Sequence, residues 1–152
     1  VLRRVTFLDR ALRLDSLPVQ ELALGYRTSR FETEGGVILE AEFSLAPGDP
    51  AAIEAEMQEL MARRREKQPL ELPSAGSTFK RPQGAFAGAL IEQSGLRGFA
   101  VGGAAVSTKH CGFVVNTGGA TCADVVALTE EVARIVYEKT GYRLEREIRV
   151  VQ

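Results

Sequence analysis

The chain has 152 residues, of which 45% are hydrophobic, and its formal net charge is -1. This length suits one ordinary domain, or a small domain joined to part of another, with enough apolar side chains for a core. The near-neutral charge gives no reason to expect nucleic acid or a membrane surface as partner, and no apolar run is long enough to span a bilayer.

Five secondary-structure elements are predicted in the first half of the chain. Strands are predicted where apolar residues alternate between turn signals, and helices where apolar residues recur every three or four positions. Pro18 suits a first helical position and favours a helical turn after it. The predicted elements are a strand at 2–8, a return strand at 11–14 after a turn at Asp9 and Arg10, a helical turn at 18–24, a strand at 37–45 and a helix at 50–67.

The predicted helix at 50–67 has an apolar stripe and a basic end. The stripe residues recur at helical spacing on one face, and they are Ile53, Met57, Leu60 and Met61. Basic residues suit the end of a helix because the dipole is negative there. These residues are Arg63, Arg64, Arg65 and Lys67.

The second half of the chain predicts further strands and two helices. Thr121 followed by Asp124 matches a loose capping box at a helix start, and Gly141 is placed to end that helix. The predicted elements are a helix at 88–93, a glycine-rich apolar segment at 99–106, a strand at 111–116, a helix from 121 to about 140 that buries Val125, Leu128, Val132, Ile135 and Val136, and a last strand at 144–151.

The order of these elements predicts an α+β fold, in which a mixed or antiparallel sheet is covered by helices. There is neither a regular βαβ repeat nor an internal repeat of the sequence. The proline-rich stretches 47–50 and 69–73 are candidate boundaries, and we divide the chain into 1–47 and 48–152. Because the chain lacks an initiator Met and begins in a strand-like pattern, we expect an N-terminal part to be missing.

The residues that most often bind metals are scarce. Cys111, Cys122 and His110 cannot supply a structural zinc site by themselves, so no metal is predicted. Nothing in the cysteine spacing demands a disulfide, which favours buried, reduced thiols in a cytoplasmic protein. His110 is expected to order its own loop. Gly118 and Gly119 precede a helix and could bind an anion, but without a dinucleotide or Walker motif a plain turn is the simpler account.

The most informative stretch is the loop at 73–82, PSAGSTFKRP. Gly76 permits close approach of the backbone to a ligand, Ser77 offers a hydroxyl that can exchange a proton, and Lys80 adds a cation. No G-x-S-x-G elbow surrounds Ser77, which argues against a serine hydrolase. A hydroxyl that donates a proton to a carbanion or enolate needs no triad. The alternative is an ordinary polar turn.

Two other polar groups call for explanation. Residues 25–31, GYRTSRF, place Arg27 and Arg30 around an aromatic ring, and guanidinium groups suit carboxylate or phosphate. Residues 144–150, LEREIRV, would put Glu145 and Glu147 on one face of a strand. The alternative for residues 25–31 is a surface loop with ordinary ion pairs, and the alternative for residues 144–150 is a solvated strand face.

In this order, the three groups resemble the UDP-N-acetylenolpyruvoylglucosamine reductase family of bacterial flavoenzymes. The resemblance rests on GYRTSRF, RRREKQPLELPSAGSTFKRP, GALIEQSGLRGFAVGGAAVSTKHCGFVVNTGGAT and LEREIRV. It covers the chain from about residue 17 to the end, and the direct passage from Phe79 to Gly102 is similar to the shorter form of the family.

The resemblance implies an enzyme of peptidoglycan precursor synthesis, and thereby a part in cell shape and division. Members reduce UDP-N-acetylglucosamine enolpyruvate to UDP-N-acetylmuramate: NADPH reduces FAD, the flavin passes hydride to the vinyl group, and a serine protonates the resulting enolate. The implied location is the cytoplasm. The segment 1–47 would be the last piece of an FAD-binding domain, and 48–152 the substrate-binding domain.

The resemblance also implies roles for individual residues. Ser77 would be the proton donor, Arg27 the catalytic arginine and Glu147 the catalytic glutamate, with Glu145 left open as the alternative to Glu147. A fixed guanidinium suits this reaction because negative charge builds on the substrate as hydride adds.

Four more positions are assigned to binding by the resemblance. Tyr26, Lys80 and Arg81 would contact the substrate, and Gly76 would let the backbone approach the flavin or the substrate. Arg81 departs from the family, which usually has Asn after this lysine, and an Arg there suits a phosphate or carboxylate.

The glycine-rich flavin motifs of the family are absent from this chain. FAD is therefore expected to be bound mainly by a missing N-terminal domain, and this chain alone to bind FAD weakly or not at all and to lack reductase activity. Two alternatives stay open at this point: a non-catalytic module of the same fold that recognises a nucleotide sugar or another anion, and a structural domain without a ligand.

Overall fold

The computed structural model describes residues 1–151, which form two compact units. The first runs from Val1 to Ile53 and the second begins at Glu54. The described strands pair antiparallel in two separate sheets, which confirms the predicted α+β class. Nowhere in the described chain does a helix have the length and apolar character needed to cross a membrane. The interpretation of 1–47 and 48–152 as parts of two functional domains stays a prediction.

The first unit is built on a three-stranded sheet in the order β2-β1-β3. Its elements are β1 at Leu2–Leu8, β2 at Leu14–Pro18, a 3-10 turn at Val19–Glu21, α1 at Arg30–Glu34 and β3 at Val37–Phe43. The buried residues come from the central strand and the turn that follows β2: Val5, Phe7 and Leu22. The Phe7 ring meets the edge of Phe31 from α1 at 4.9 Å between ring centroids.

The predicted hairpin is confirmed, but its return strand begins at Leu14 instead of residue 11. The Asp9 carboxylate accepts the backbone N–H groups of Ala11 and Arg13, at 2.8 and 2.9 Å, and so extends the turn. The helical turn after β2 is also present, with Pro18 as the residue before it.

The long helix α2 spans Pro50–Lys67, with the predicted bounds and a basic last turn. It is exposed along its whole length. The four residues of the predicted apolar stripe are between 46% and 65% exposed. Their helical spacing therefore does not produce a core-facing side within the described chain.

The second unit contains a four-stranded sheet in the order β4-β7-β6-β5. Its elements are β4 at Ser74–Ser77, α3 at Ala87–Gln93, β5 at Ala100–Val101, β6 at Ala104–Val106, β7 at Phe113–Asn116 and α4 at Cys122–Thr140. The main core is formed by residues of α3, α4 and the strands of this sheet. Its residues include Phe79, Leu90, Ile91, Val106, Val114, Leu128, Val132 and Val136.

The start of α4 is fixed by the predicted capping box. Thr121 Oγ1 accepts the Asp124 N–H at 3.1 Å, and the Asp124 carboxylate accepts the Thr121 N–H at 2.9 Å. That bond from the Thr121 backbone is the main cause of a lowered Asp124 pKa. The helix ends at Gly141, which has a φ of 75°.

We expect Asp124→Asn to change how stability depends on pH. Because the folded pKa of Asp124 lies below its unfolded value, the ionised group stabilises the fold above its unfolded pKa. That contribution is lost as the pH falls through the folded pKa. The variant should therefore be slightly less stable at neutral pH and should lose less stability below about pH 4. Urea unfolding at a series of pH values measures this, and parallel curves for the two proteins would contradict it.

The predicted last strand at 144–151 is wrong as a regular strand. The structure has a single antiparallel bridge there, between Phe79 and Arg146, flanked by two backbone hydrogen bonds. Arg146 interrupts the face that Leu144, Ile148 and Val150 would share in a strand, so the segment has no continuous apolar face to hold a longer ladder against the core.

Candidate functional site

The Ser77 loop is the end of β4, an edge strand that pairs with β7. Ser77 is exposed, opposite Phe113. Ser74 Oγ donates to the Val114 carbonyl at 2.7 Å and accepts the Gly76 N–H at 3.1 Å, which fixes the backbone before Ser77. Gly76 has a φ of 87°, and a Cβ added there would meet nothing within 4 Å. The backbone beside Ser77 therefore faces open space that a ligand could fill.

The residue after Ser77 anchors the loop. Thr78 is only 1% exposed, and its N–H donates to the Gly112 carbonyl at 2.9 Å. Its hydroxyl oxygen accepts the Val114 N–H at 3.0 Å, and its carbonyl accepts the Glu147 N–H at 2.9 Å. Thr78 thus ties the Ser77 loop to both β7 and the C-terminal segment, a role that its residue type alone did not predict.

We expect Thr78→Val to destabilise the second unit by about 1–3 kcal/mol, because the buried Val114 N–H loses its acceptor. Thr78→Ser keeps the hydroxyl and should cost less. Urea unfolding of the two variants measures the difference in the free energy of unfolding. Equal stabilities would mean that the hydroxyl bond contributes little.

The C-terminal segment lies alongside the loop. The Lys80 N–H donates to the Glu145 carbonyl at 2.8 Å, next to the bond between Glu147 and Thr78. The Lys80 ammonium also forms an ion pair with the Glu145 carboxylate. Glu145 is mostly exposed, whereas Glu147 is half-buried and lies opposite Thr78, one residue from Ser77.

A groove of about 370 Å³ opens beside this loop. Ser74, Ala75, Thr78, Val114 and Ile148 line it, so β4, β7 and the C-terminal segment all contribute to its walls. A second groove of about 270 Å³ has Leu72, Ala105 and Lys109 among its lining residues. Neither groove was predicted, because the lining residues meet only in the folded sheet.

Arg81 follows Lys80 and is exposed. Its guanidinium carbon lies 3.9 Å from the centroid of the Phe86 ring, and Phe86 is 61% exposed. Phe86 was not predicted as a site residue, since its one signal in the sequence is its position just before α3.

In the first unit, Tyr26 and Arg27 occupy the tip of a tight turn. The Gly25 N–H donates to the Thr28 carbonyl at 3.0 Å, and the Thr28 N–H donates to the Gly25 carbonyl at 3.4 Å. Arg27 has a φ of 57°, a left-handed conformation that costs a non-glycine residue about 1–2 kcal/mol. Both side chains are exposed. A strained, exposed arginine is a reasonable candidate for function, since such strain concentrates at functional sites.

The other arginine of this motif has a structural role. Arg30 Nε lies 2.5 Å from the Glu34 carboxylate within α1, and this contact raises the Arg30 pKa. The plain account of an ordinary ion pair therefore applies to Arg30.

The predicted site residues are divided between the two units. The first unit holds Tyr26 and Arg27. The second unit brings Gly76, Ser77, Lys80 and Arg81 into one loop, with Glu147 on the segment bonded to it. Among residues 1–151, no group of three or more His, Cys, Asp or Glu side chains could hold a metal ion.

Three smaller predictions are confirmed, one of them in part. His110 orders its own loop, because its Nδ1 accepts the Gly112 N–H at 3.0 Å. Cys111 is a buried free thiol, and burial raises its pKa; Cys122 is also free, but its predicted burial is wrong, because it lies exposed at the start of α4. The Asn116 side chain accepts the N–H groups of Gly118 and Ala120, at 2.8 and 3.1 Å, which makes the glycine pair a closed turn.

Comparisons with known proteins point to one family. The family described as UDP-N-acetylenolpyruvoylglucosamine reductase, C-terminal domain, matches residues 68–151. A UDP-N-acetylenolpyruvoylglucosamine reductase of Lachnoclostridium phytofermentans is 54% identical over 136 residues, which are 90% of this chain and 44% of that protein. One from Clostridium perfringens is 47% identical over 151 residues, covering 99% of this chain and 50% of the relative.

A solved structure is similar as well. The crystal structure of UDP-N-acetylenolpyruvylglucosamine reductase from Thermus caldophilus matches with a TM-score of 0.80 and 32% identity. The match covers 97% of this chain and 52% of that one. The chain thus spans about half the length of the relatives it matches.

Proposed function

The chain belongs to the UDP-N-acetylenolpyruvoylglucosamine reductase family, and on that basis we propose that the whole protein reduces UDP-N-acetylglucosamine enolpyruvate to UDP-N-acetylmuramate. The observation that carries the proposal is the continuity of the family match from 68 to 151, which includes the Ser77 loop and the C-terminal segment bonded to it.

Ser77 is the proton donor in this proposal. Its exposed position at the end of β4, beside a groove and an open backbone, leaves room for a reacting carbon. The three bonds of Thr78 hold the backbone next to it, and a positioned donor is more effective than a mobile one. The proton goes to the α-carbon of the enolate, and general acid catalysis of this kind contributes about a hundredfold to ten-thousandfold.

Arg27 is the cation that stabilises the developing charge. Hydride addition to the vinyl carbon moves an electron pair onto the α-carbon and the carboxylate, and a guanidinium favours that charged state. Its exposed position at the tip of a closed two-residue turn supports this role. Tyr26, the other residue of the tip, is proposed as a substrate contact.

The roles of the two glutamates are separated by their partners. Glu145 pairs with Lys80 and is proposed to orient that ammonium towards an anionic group of the substrate. Glu147 is proposed as the catalytic carboxylate. It is half-buried, and its N–H donates to the carbonyl of Thr78, the residue next to Ser77.

We expect Glu147→Gln to lower kcat by about a hundredfold or more, the lower range for loss of one acid or base group. Glu145→Gln should mainly raise KM for the substrate, by less than about tenfold, because an exposed ion pair contributes little. Steady-state kinetics on the whole protein measure both. If Glu145→Gln lowers kcat more than Glu147→Gln does, the assignment of the two carboxylates must be reversed.

FAD is the proposed cofactor and NADPH the reductant. When bound, the flavin would supply the hydride that NADPH provides. Within this chain, Gly76 fits a close ligand approach, because a Cβ at this position would point into empty space. The other flavin contacts are proposed to come from an N-terminal region outside this chain. The two free thiols agree with the further proposal of a cytoplasmic enzyme.

The proposal is tested by incubating the whole protein with NADPH and UDP-N-acetylglucosamine enolpyruvate. We expect substrate-dependent NADPH oxidation and a product heavier than the substrate by two hydrogens. Binding of the substrate without any reduction would instead indicate a non-catalytic nucleotide-sugar module.

A further inference from the structure

Arg81 and Phe86 form a stacked pair at the end of the Ser77 loop. The Arg81 guanidinium carbon lies 3.9 Å from the Phe86 ring centroid, a distance at which the face of an aromatic ring attracts a cation. The ring is 61% exposed, although a phenylalanine that served the core would be covered. Phe86 therefore contributes an exposed ring whose evident contact is with a cation.

Both ends of the segment that carries this pair are fixed. On one side, the Lys80 N–H donates to the Glu145 carbonyl at 2.8 Å. On the other, Phe86 is the N-cap residue of α3, whose Ala87, Leu90 and Ile91 are buried in the core. Between them, the Ala85 N–H donates to the Pro82 carbonyl at 3.3 Å and closes a turn. The backbone that carries the ring is thus fixed on both sides, by hydrogen bonds and by the start of α3.

The charges nearby distinguish Arg81 from Lys80. The Lys80 ammonium is paired with the Glu145 carboxylate. Within residues 1–151, the contact found for the Arg81 guanidinium is the Phe86 ring, which does not neutralise its charge. Stacking occupies one face of the guanidinium and leaves its N–H donors, which lie in the plane, available to an oxyanion. Such a guanidinium suits a carboxylate or phosphate, which two of its N–H donors can contact together.

We propose that Phe86 is a positioning residue that holds Arg81 in place to bind an oxyanion of the nucleotide-sugar substrate. This inference rests on the proposed function, because it takes the substrate from there. Phe86 acts by reducing the freedom that Arg81 would lose on binding, so its contribution appears as affinity and not as chemistry. The oxyanion is either the diphosphate or the enolpyruvyl carboxylate, which share the chemistry that a guanidinium recognises.

The test compares Phe86→Ala, Phe86→Tyr and Arg81→Ala in the whole protein. Arg81→Ala should raise KM for the substrate by about tenfold to a hundredfold, as expected for lost charge-assisted hydrogen bonds. Phe86→Ala should raise it by about threefold to tenfold with kcat little changed, and Phe86→Tyr should restore it because the ring face is kept. The double variant should be no worse than Arg81→Ala alone, since Phe86 acts through Arg81.

The chain offers a matched control in a second stacked pair. The Arg143 guanidinium carbon lies 4.6 Å from the centroid of the Tyr137 ring, on the exposed side of α4. Tyr137→Ala removes a comparable exposed ring and should leave KM unchanged. An unchanged KM in Phe86→Ala, an equal rise in Tyr137→Ala, or an additive double variant would each overturn the inference.

Binding of UDP-N-acetylglucosamine, measured by calorimetry, identifies the oxyanion. This compound has the diphosphate and lacks the carboxylate. If Arg81 binds the diphosphate, Phe86→Ala weakens the binding of UDP-N-acetylglucosamine by the same factor as KM rises. If Arg81 binds the carboxylate, the affinity for UDP-N-acetylglucosamine does not change, while KM for the substrate still rises. Should wild-type protein bind UDP-N-acetylglucosamine but reduce nothing, the proposed function fails. The inference is then judged on binding of UDP-N-acetylglucosamine enolpyruvate, which has both oxyanions, and equal affinities of wild type and Phe86→Ala for this compound overturn it.

Discussion

Ser77→Ala in the whole protein should leave the reduction of the flavin by NADPH intact and slow its substrate-dependent reoxidation by about a hundredfold to ten-thousandfold. Only the second step needs the proton that Ser77 donates in this account. The substitution removes one exposed hydroxyl, so the fold and the flavin content should not change. Stopped-flow absorbance of the flavin, first with NADPH and then with substrate, separates the two steps.

Two variants serve as controls for this prediction. Ser77→Cys keeps a group that can give up a proton and should recover part of the rate. Ser74→Ala removes a neighbouring hydroxyl whose bonds lie within the loop, and it should lower the rate less than Ser77→Ala. A reoxidation rate in Ser77→Ala within about threefold of wild type would remove Ser77 from the chemistry, because general acid catalysis is worth far more.

Arg27→Gly should have opposite effects on activity and on stability. Activity should fall by about a hundredfold to a thousandfold, the loss found when one group that stabilises developing charge is removed. Stability should stay the same or rise slightly, because glycine adopts a φ of 57° without the cost of about 1–2 kcal/mol, although part of this gain is offset by its more flexible unfolded state. Steady-state kinetics and thermal unfolding measure the two effects.

Leu12 is the matched control for this prediction. It has a φ of 59° and is 74% exposed, so Leu12→Gly relieves similar strain at a turn with no proposed role in catalysis. Both variants should keep or gain stability, and only Arg27→Gly should lose activity. If Arg27→Gly retains full activity, or if both variants lose it equally, the catalytic role of Arg27 is wrong.

Local signals predicted much of the fold correctly. The bounds of α2, the capping box of Thr121 and Asp124 and the Gly141 helix end all follow from short stretches of sequence. The burial of Leu128, Val132 and Val136 follows from their helical spacing. These features depend on near neighbours in the chain, which is why they could be read without the structure.

The wrong predictions depend on what lies next to an element in space. The stripe on α2 has the right spacing, yet no described part of the chain covers it. The alternating pattern at 144–151 suggested a strand, but only Arg146 finds a bridging partner. Periodicity shows which residues share a face and does not show whether another element meets that face.

In the candidate site too, local sequence features were predicted and contacts between distant residues were not. The loop that contains Ser77, Lys80 and Arg81 was identified from its residue types and its resemblance to a family. The supporting contacts made by Thr78 and Phe86 were not predicted, because an ordinary Thr or Phe has no distinguishing signal until its partners are known.

The most direct test of the account is a crystal structure of the whole protein with UDP-N-acetylglucosamine enolpyruvate bound. We expect the α-carbon of the enolpyruvyl group to lie within about 3.5 Å of Ser77 Oγ, the separation of atoms poised to react. The groove lined by Ser74, Thr78 and Ile148 should lie next to the bound sugar nucleotide. A substrate bound with its enolpyruvyl group remote from Ser77, for example in the groove at Leu72 and Ala105, would contradict the account.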